Sequence, residues 1–162
     1  MKIPDPDMAF IFIAKEEILR NIVSTHDVIL VQGWKGTGKT VTALKAVTGM
    51  GDIYYYNGQA GEIPQCNSQL SVVKNCQDLR ALKPGKQCII FDDLNRLDSE
   101  ARSILTDMVR ERTKDRKILV ITRVVLEAQD ILENMDVVVR FKQNTAEMLN
   151  TKLYDLNSCC RF

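Results

Sequence analysis

The stretch Gly33-Trp34-Lys35-Gly36-Thr37-Gly38-Lys39-Thr40 follows the pattern G-x-x-x-x-G-K-S/T, and its flanks are the ones that pattern needs. The apolar run Val28-Ile29-Leu30-Val31 enters it as a buried strand, and Thr40 to Val47 leaves it as a helix with Val41, Leu44 and Val47 on one face. A glycine-rich turn between strand and helix presents backbone N–H groups that no side chain screens, so phosphate oxygens can approach closely. Gly33, Gly36 and Gly38 are expected to supply that freedom. The helix start near Lys39 adds unpaired N–H groups and a positive dipole end, and Lys39 itself brings a full charge to the β and γ phosphates. The Thr40 hydroxyl is a hard ligand suited to Mg²⁺. The expected contacts to a nucleoside triphosphate, ATP, therefore run from Gly33 through Trp34, Lys35, Gly36, Thr37, Gly38, Lys39 and Thr40 to Val41.

A second stretch completes the metal site. Cys88-Ile89-Ile90-Phe91-Asp92-Asp93 is a short apolar run ending in two carboxylates after a Pro84-Gly85 turn. A buried strand that carries Asp92 at its carboxyl end can hold the Mg²⁺ together with Thr40, while paired acids after a strand also serve as helix caps.

Size and composition set the outer limits. The 162 residues are enough for one domain with a sheet covered by helices, and a net charge of +1 draws the chain globally to neither nucleic acid nor an anionic membrane. Any nucleic-acid contact has to be local. The five cysteines (Cys66, Cys76, Cys88, Cys159, Cys160) are odd in number and lack zinc spacing, so they read as reduced thiols in a cytoplasmic protein. The Cys159-Cys160-Arg161-Phe162 end reads as a frayed tail, because Arg161 does not suit a prenylation box. Lys2-Ile3-Pro4-Asp5-Pro6-Asp7 does not begin a signal peptide, and the apolar run Met8 to Ala14 is too short to cross a bilayer.

Along the chain, Met8 to Val23 reads as a helix, Val28 to Val31 as the first strand, and the loop helix is expected to stop at Gly49 or Gly51. His26, the sole histidine, belongs to a solvated loop. Asp52 to Asn57, with three tyrosines, predicts a second strand, and 58–68 an irregular loop. Val72, Val73, Cys76, Leu79 and Leu82 predict a helix ending at Pro84, followed by a strand over Lys86 to Asp92. Asp98 or Ser99 caps a helix striped by Ala101, Ile104, Leu105 and Met108. Lys117 to Thr122 predicts a fourth strand, Val125 to Met135 a short helix, and Asp136 to Phe141 a fifth strand. Asn144 with Glu147 resembles a capping box for a last helix. Alternating strands and helices imply an α/β, three-layer fold: a mostly parallel five-stranded sheet with helices on both faces.

With these stretches the chain resembles the additional-strand division of P-loop NTPases, and within it AAA+ and signal-transduction ATPase cores. The resemblance rests on Gly36-Thr37-Gly38-Lys39-Thr40, on Ile89-Ile90-Phe91-Asp92-Asp93, and on Lys117-Ile118-Leu119-Val120-Ile121-Thr122-Arg123, which is similar to the sensor strand. It covers about residues 25–143 and implies one ATPase domain over 1–162, lacking the helical lid that usually follows. It implies that Lys39 neutralises the transferring phosphoryl group, that Thr40 and Asp92 position Mg²⁺, and that Asp93 takes the place of a water-orienting glutamate one methylene longer. Thr122 or Arg123 would then sense the γ-phosphate. Partition ATPases carry a signature lysine where this chain has Trp34, which argues against that branch.

The leading expectation is an Mg²⁺-dependent ATPase acting as a nucleotide-driven switch or small motor, in a homo-oligomer or with a partner that supplies an arginine in trans. The run Arg110-Glu111-Arg112-Thr113-Lys114-Asp115-Arg116-Lys117 holds five cations and two acids, a local +3, able to offer such an arginine or to contact DNA phosphates. A DNA-translocating or genome-packaging ATPase is one alternative, and an interaction module that holds nucleotide without hydrolysis is another. A metabolite kinase fits less well, since no arginine-rich lid insert is recognisable.

Overall fold

The computed structural model describes residues 6–57, 70–142 and 146–149, and among them the side chains of all but 6–14 and 147–149. Helix α1 covers Pro6–Thr25, then β1 spans Val28–Gly33 and α2 Lys39–Ala46. Next come β2 (Asp52–Tyr56), β3 (Leu70–Val72), α3 (Cys76–Arg80) and β4 (Gln87–Phe91). A 3-10 turn at Leu94–Arg96 precedes α4 (Ser99–Glu111) and β5 (Arg116–Thr122), and two more 3-10 turns lead to β6 (Val137–Phe141) and β7 (Ala146–Leu149).

These strands form one sheet in the order β3-β2-β4-β5-β1-β6-β7, parallel except for β7. All five expected strands are there, flanked by two short ones that extend the edges. The strand β5 sits between β1 and β4, so the loop strand and the Asp92 strand are not neighbours. β1 is buried at every position, as expected for a parallel strand covered on both faces. Alternate residues divide between two cores. Leu30, Ile89, Phe91, Val120 and Val138 pack beneath α3 and α4, while Ile29, Val31, Ile90, Leu119 and Ile121 pack beneath α1 and α2.

Three expected helices differ. Over Val72 to Leu82, the β-branched Val72 joins β3 beside β2, and only Cys76–Arg80 is helical, begun by Asn75, whose side chain accepts from the Asp78 N–H at 2.8 Å. Between Val125 and Met135 the chain forms two 3-10 turns, Val125–Ala128 and Leu132–Asn134. Buried Val125, Ala128 and Ile131 recur at three-residue steps, the repeat of a 3-10 helix, and the stretch is short enough to be spanned that way. The last helix expected near Asn144 and Glu147 is replaced by β7, which pairs antiparallel with β6 and occupies that edge. The loop 58–68, Asn144 and the cysteines at 66, 159 and 160 lie outside the described residues. Cys76 and Cys88 are free, and burial pushes the Cys88 thiol up to about 12. Among the described residues no helix is long and apolar enough to cross a membrane.

Candidate active site

The turn after β1 is closed by Thr37, whose N–H and hydroxyl both donate to the Trp34 carbonyl, at 3.3 and 2.7 Å. Gly36 and Gly38 adopt left-handed backbone, φ +86° and +78°, which side chains disfavour. Gly33 is needed for another reason than freedom: a Cβ there would stand 2.7 Å from the Phe141 carbonyl oxygen of neighbouring β6. Lys15 of α1, fully buried, reaches the turn from below, donating to the Thr37 carbonyl at 3.1 Å and lying 5.5 Å from the Phe141 ring centroid. This lysine clamps α1 to the loop, and in the sequence it stands between the apolar run ending at Ala14 and the pair Glu16-Glu17, with nothing to single it out.

Lys39 folds back over the loop and donates to the carbonyls of Gly33 (2.5 Å) and Trp34 (3.0 Å). Burial pushes its ammonium below the usual lysine range, and Asp92 and Asp93 partly restore it. A phosphate arriving here would replace neutral carbonyl acceptors with charged ones.

Across the turn, Thr40 Oγ1 donates to Asp92 Oδ2 at 2.8 Å, and the Tyr55 hydroxyl donates to the same oxygen at 2.6 Å. Burial and then this bond hold the phenol protonated, well above the usual tyrosine range. Tyr55 stands on β2, adjacent to β4, and so supports Asp92 from the side. The sequence shows it only as a strand residue. These oxygens suit Mg²⁺, a hard cation that takes one or two protein ligands and completes its shell with phosphates and water. No cluster of three or more His, Cys, Asp or Glu exists among the described residues to favour a dedicated metal cage instead.

Asp93 is placed differently. Its backbone is left-handed (φ 58°), and its carboxylate pairs with Arg96 at 3.2 Å. With the Asn95 amide oxygen turned towards Arg123, Asn95 accepts from Arg123 Nη2 and donates to Asp93 Oδ1, both at 2.7 Å. Arg123 also reaches Glu127 (3.5 Å), and buried Thr122 donates to Glu127 at 2.5 Å. One cavity of about 320 Å³ is lined by Lys35, Lys39, Thr40, Asp92, Asp93, Thr122 and Arg123. The candidate catalytic and metal residues are thus brought together, with Asn95 and Arg96 as additions. Of the expected ATP contacts only Lys35, Lys39 and Thr40 line this cavity; Gly33, Trp34, Gly36 and Thr37, with Lys35, line the one beside it, and Trp34 and Val41 are exposed.

The strand order decides the fold class, since β5 separates the loop strand from the acidic strand. The chain has the fold of the additional-strand P-loop ATPases. Three solved structures with this fold are similar to it. A DNA polymerase III gamma subunit-related protein from Thermotoga maritima aligns over 79% of this chain and 46% of its own, at 14% identity and a TM-score of 0.54. The ATPase DotB of Legionella pneumophila aligns over 91% and 51%, at 12% identity and 0.53. A variant of RuvB from Thermotoga maritima aligns over 83% and 45%, at 15% identity and 0.53. The chain thus spans about half the length of the P-loop structures it matches. No family model matches it, and no curated protein matches it in sequence.

The basic run after α4 is mostly occupied within the molecule. Arg112 pairs with Asp136 (2.7 Å), Arg116 donates to Gln87 (2.7 Å) in the interior, and Lys117 pairs with Asp27 (3.2 Å).

Proposed function

We propose that this chain is a magnesium-dependent ATPase that works as a nucleotide-driven switch. The observation that carries the reading is the pair of hydroxyls, Thr40 and Tyr55, converging on Asp92 beside a P-loop whose lysine is already turned inward. The backbone N–H groups of the turn and Lys39 would hold the polyphosphate, with Lys39 exchanging its carbonyl partners for the β and γ oxygens. Mg²⁺, held by Thr40, Asp92 and the phosphates, would supply charge neutralisation at the transferring group. Thr40 can donate its hydroxyl hydrogen to Asp92 while offering an oxygen lone pair to the cation, so the carboxylate stays oriented. Asp93 would orient the attacking water, and Thr122 or Arg123 would register the γ-phosphate.

Hydrolysis by this arrangement is slow, because Asp93 is short and occupied by Arg96 and Asn95. That occupation favours a second reading, a module that binds nucleotide and does not hydrolyse it. An arginine in trans suits either: Arg110, in the last turn of α4 and without a partner among the described residues, is the candidate that a second copy would offer. A cytoplasmic setting suits a protein fed by ATP.

Titration calorimetry with a nonhydrolysable ATP analogue and Mg²⁺ tests binding, and single-turnover hydrolysis separates the two readings. Lys39→Ala should weaken binding by roughly ten- to 150-fold, the worth of a charge-assisted hydrogen bond. An unchanged heat signature in that variant would sink the nucleotide reading; binding without any turnover would select the module.

A further inference from the structure

Lys15 is 1% exposed, the least of any cation among the described residues. A charge so placed costs stability unless it is well paired, and burial pushes its ammonium below the usual lysine range. A methionine would fill the same space without that cost. What the ammonium adds is a donor, and among its contacts is the Thr37 carbonyl of the phosphate loop, at 3.1 Å.

That carbonyl belongs to a peptide flanked by glycine. Thr37 lies between Gly36 and Gly38, both left-handed, so no side chain at either neighbour resists rotation of the Thr37-Gly38 peptide plane. Its orientation is set by hydrogen bonds instead: the Thr37 N–H and hydroxyl on the Trp34 carbonyl, and the Thr37 carbonyl on Lys15. The peptide is trans, so a carbonyl drawn towards α1 turns the Gly38 N–H the other way. It also stands where the two cavities meet, since Thr37 lines one and Lys39 the other. The seat of α1 does not depend on this contact. Leu19, Ile22 and Val23 share a core with Ala43, Leu44 and Val47, and Arg20 donates to the Ala46 and Lys45 carbonyls at the far end of α2, at 3.3 and 2.9 Å.

We propose that Lys15 is a positioning residue for the phosphates: from α1 it fixes the Thr37-Gly38 peptide so that the Gly38 N–H faces a phosphate oxygen and the Thr37 carbonyl does not. This role rests on the nucleotide reading above and adds to it a second lysine, one that never touches the ligand. Lys39 acts on the phosphates by its own charge; Lys15 acts by deciding which end of a peptide dipole they meet. A carbonyl oxygen turned into the loop would repel a polyphosphate, so losing Lys15 frees the peptide to withdraw a donor and present an acceptor in one movement.

The test is calorimetry of the full chain with the nonhydrolysable ATP analogue, in Mg²⁺ and in excess chelator, beside thermal melting. Lys15→Met keeps the bulk of the stem and deletes the donor. It should bind the analogue roughly tenfold more weakly, the worth of one hydrogen bond to a charged oxygen, by the same factor with and without Mg²⁺, and should melt at or above the wild-type temperature. Arg20→Gln, which loosens only the far end of α2, should bind as the wild type does. A second measurement needs no variant: on titration of the wild-type chain with inorganic tripolyphosphate, the Gly38 amide resonance should shift. Wild-type affinity in Lys15→Met, an equal loss in Arg20→Gln, or a loss joined to a lower melting temperature would overturn the proposal, the last two by making Lys15 a packing residue of α1. So would a Gly38 amide that stays still while other amides of the loop move. A wild-type chain that gives neither heat nor shifted amides would instead sink the nucleotide reading itself, and this role with it.

Discussion

Asp92 and Asp93 are neighbours in sequence and opposites in surroundings. Asp92 takes two hydroxyl donors on one oxygen and has its oxygens aimed at the phosphate loop, an arrangement already complete without any ligand. Asp93 is turned by left-handed backbone into Arg96 and Asn95, and through Asn95 into a chain that ends at Arg123, Glu127 and Thr122. The first corner is organised to bind; the second is organised to hold itself. On the proposed reading the metal corner is set in advance, whereas Lys39 must leave its two carbonyls, and Asp93, Thr122 and Arg123 must exchange side-chain partners, before they face a nucleotide.

The sharpest way to break this contrast is to neutralise each aspartate in turn. Asp92→Asn should weaken magnesium-dependent nucleotide binding by roughly ten- to 150-fold, since it removes the charge that two hydroxyls and a cation rely on. Asp93→Asn should alter affinity by no more than about twofold, because its present partners are protein groups. Equal losses in calorimetry would mean that the two corners are one unit. A smaller effect is expected at Tyr55. Replacing it with phenylalanine deletes one donor of about 1 kcal/mol, hence roughly fivefold in affinity for the magnesium complex. Affinity for nucleotide in excess chelator should stay at the wild-type level, which a general loss of packing would not allow.

The first corner was half legible in the sequence and the second hardly at all, for a physical reason. Gly33 to Thr40 and Asp92 are fixed by local chemistry, a turn and the end of a buried apolar strand, so their residue types declare them. Tyr55 acts on Asp92 because β2 lies beside β4, a proximity created by strand order across 37 positions. Glu127 is likewise invisible until a 3-10 turn places it under Thr122, and that turn had read as part of a helix over Val125 to Met135. The runs at the centres of β1 and β5, Val28 to Val31 and Ile118 to Ile121, announced themselves by unbroken apolar character. The three-residue β3 is too short to show alternation, and β7 is defined by its partner β6 as much as by its own residues. Pattern finds elements with a large buried surface and misses those that exist to close an edge.

The self-held corner can be loosened from two sides. Glu127→Ala frees Thr122 and Arg123 and should raise the single-turnover rate about fivefold, the release of roughly one hydrogen bond's worth of restraint, with nucleotide affinity held. Asp93→Glu adds the methylene needed to reach past Arg96, and should also increase turnover. If both variants hydrolyse at the wild-type rate, the chain of partners from Asp93 to Thr122 does not restrain the chemistry, and the second corner is merely structural.

A third carboxylate, at the opposite edge of the sheet, calibrates the other two. Asp136 accepts the Asp27 and Val28 N–H groups at 3.1 and 3.0 Å and the Arg112 guanidinium at 2.7 Å. Burial pushes its carboxyl up, but the Arg112 bond, those two N–H groups and the Arg112 charge together bring it below the usual carboxylate range. Because the folded-state value is depressed, its stabilising contribution is complete above the unfolded carboxylate range and disappears as pH falls through the folded value. Asp136→Asn should therefore melt about 2–6 °C below wild type at neutral pH, on the order of 1–2 kcal/mol, with the two melting curves converging in acid. Nucleotide affinity should be identical in both proteins. A carboxylate that changes stability and leaves binding alone is what Asp93 would resemble if its partners serve the fold only, so the ratio of the two effects at Asp93 measures how far the sensor corner belongs to the site.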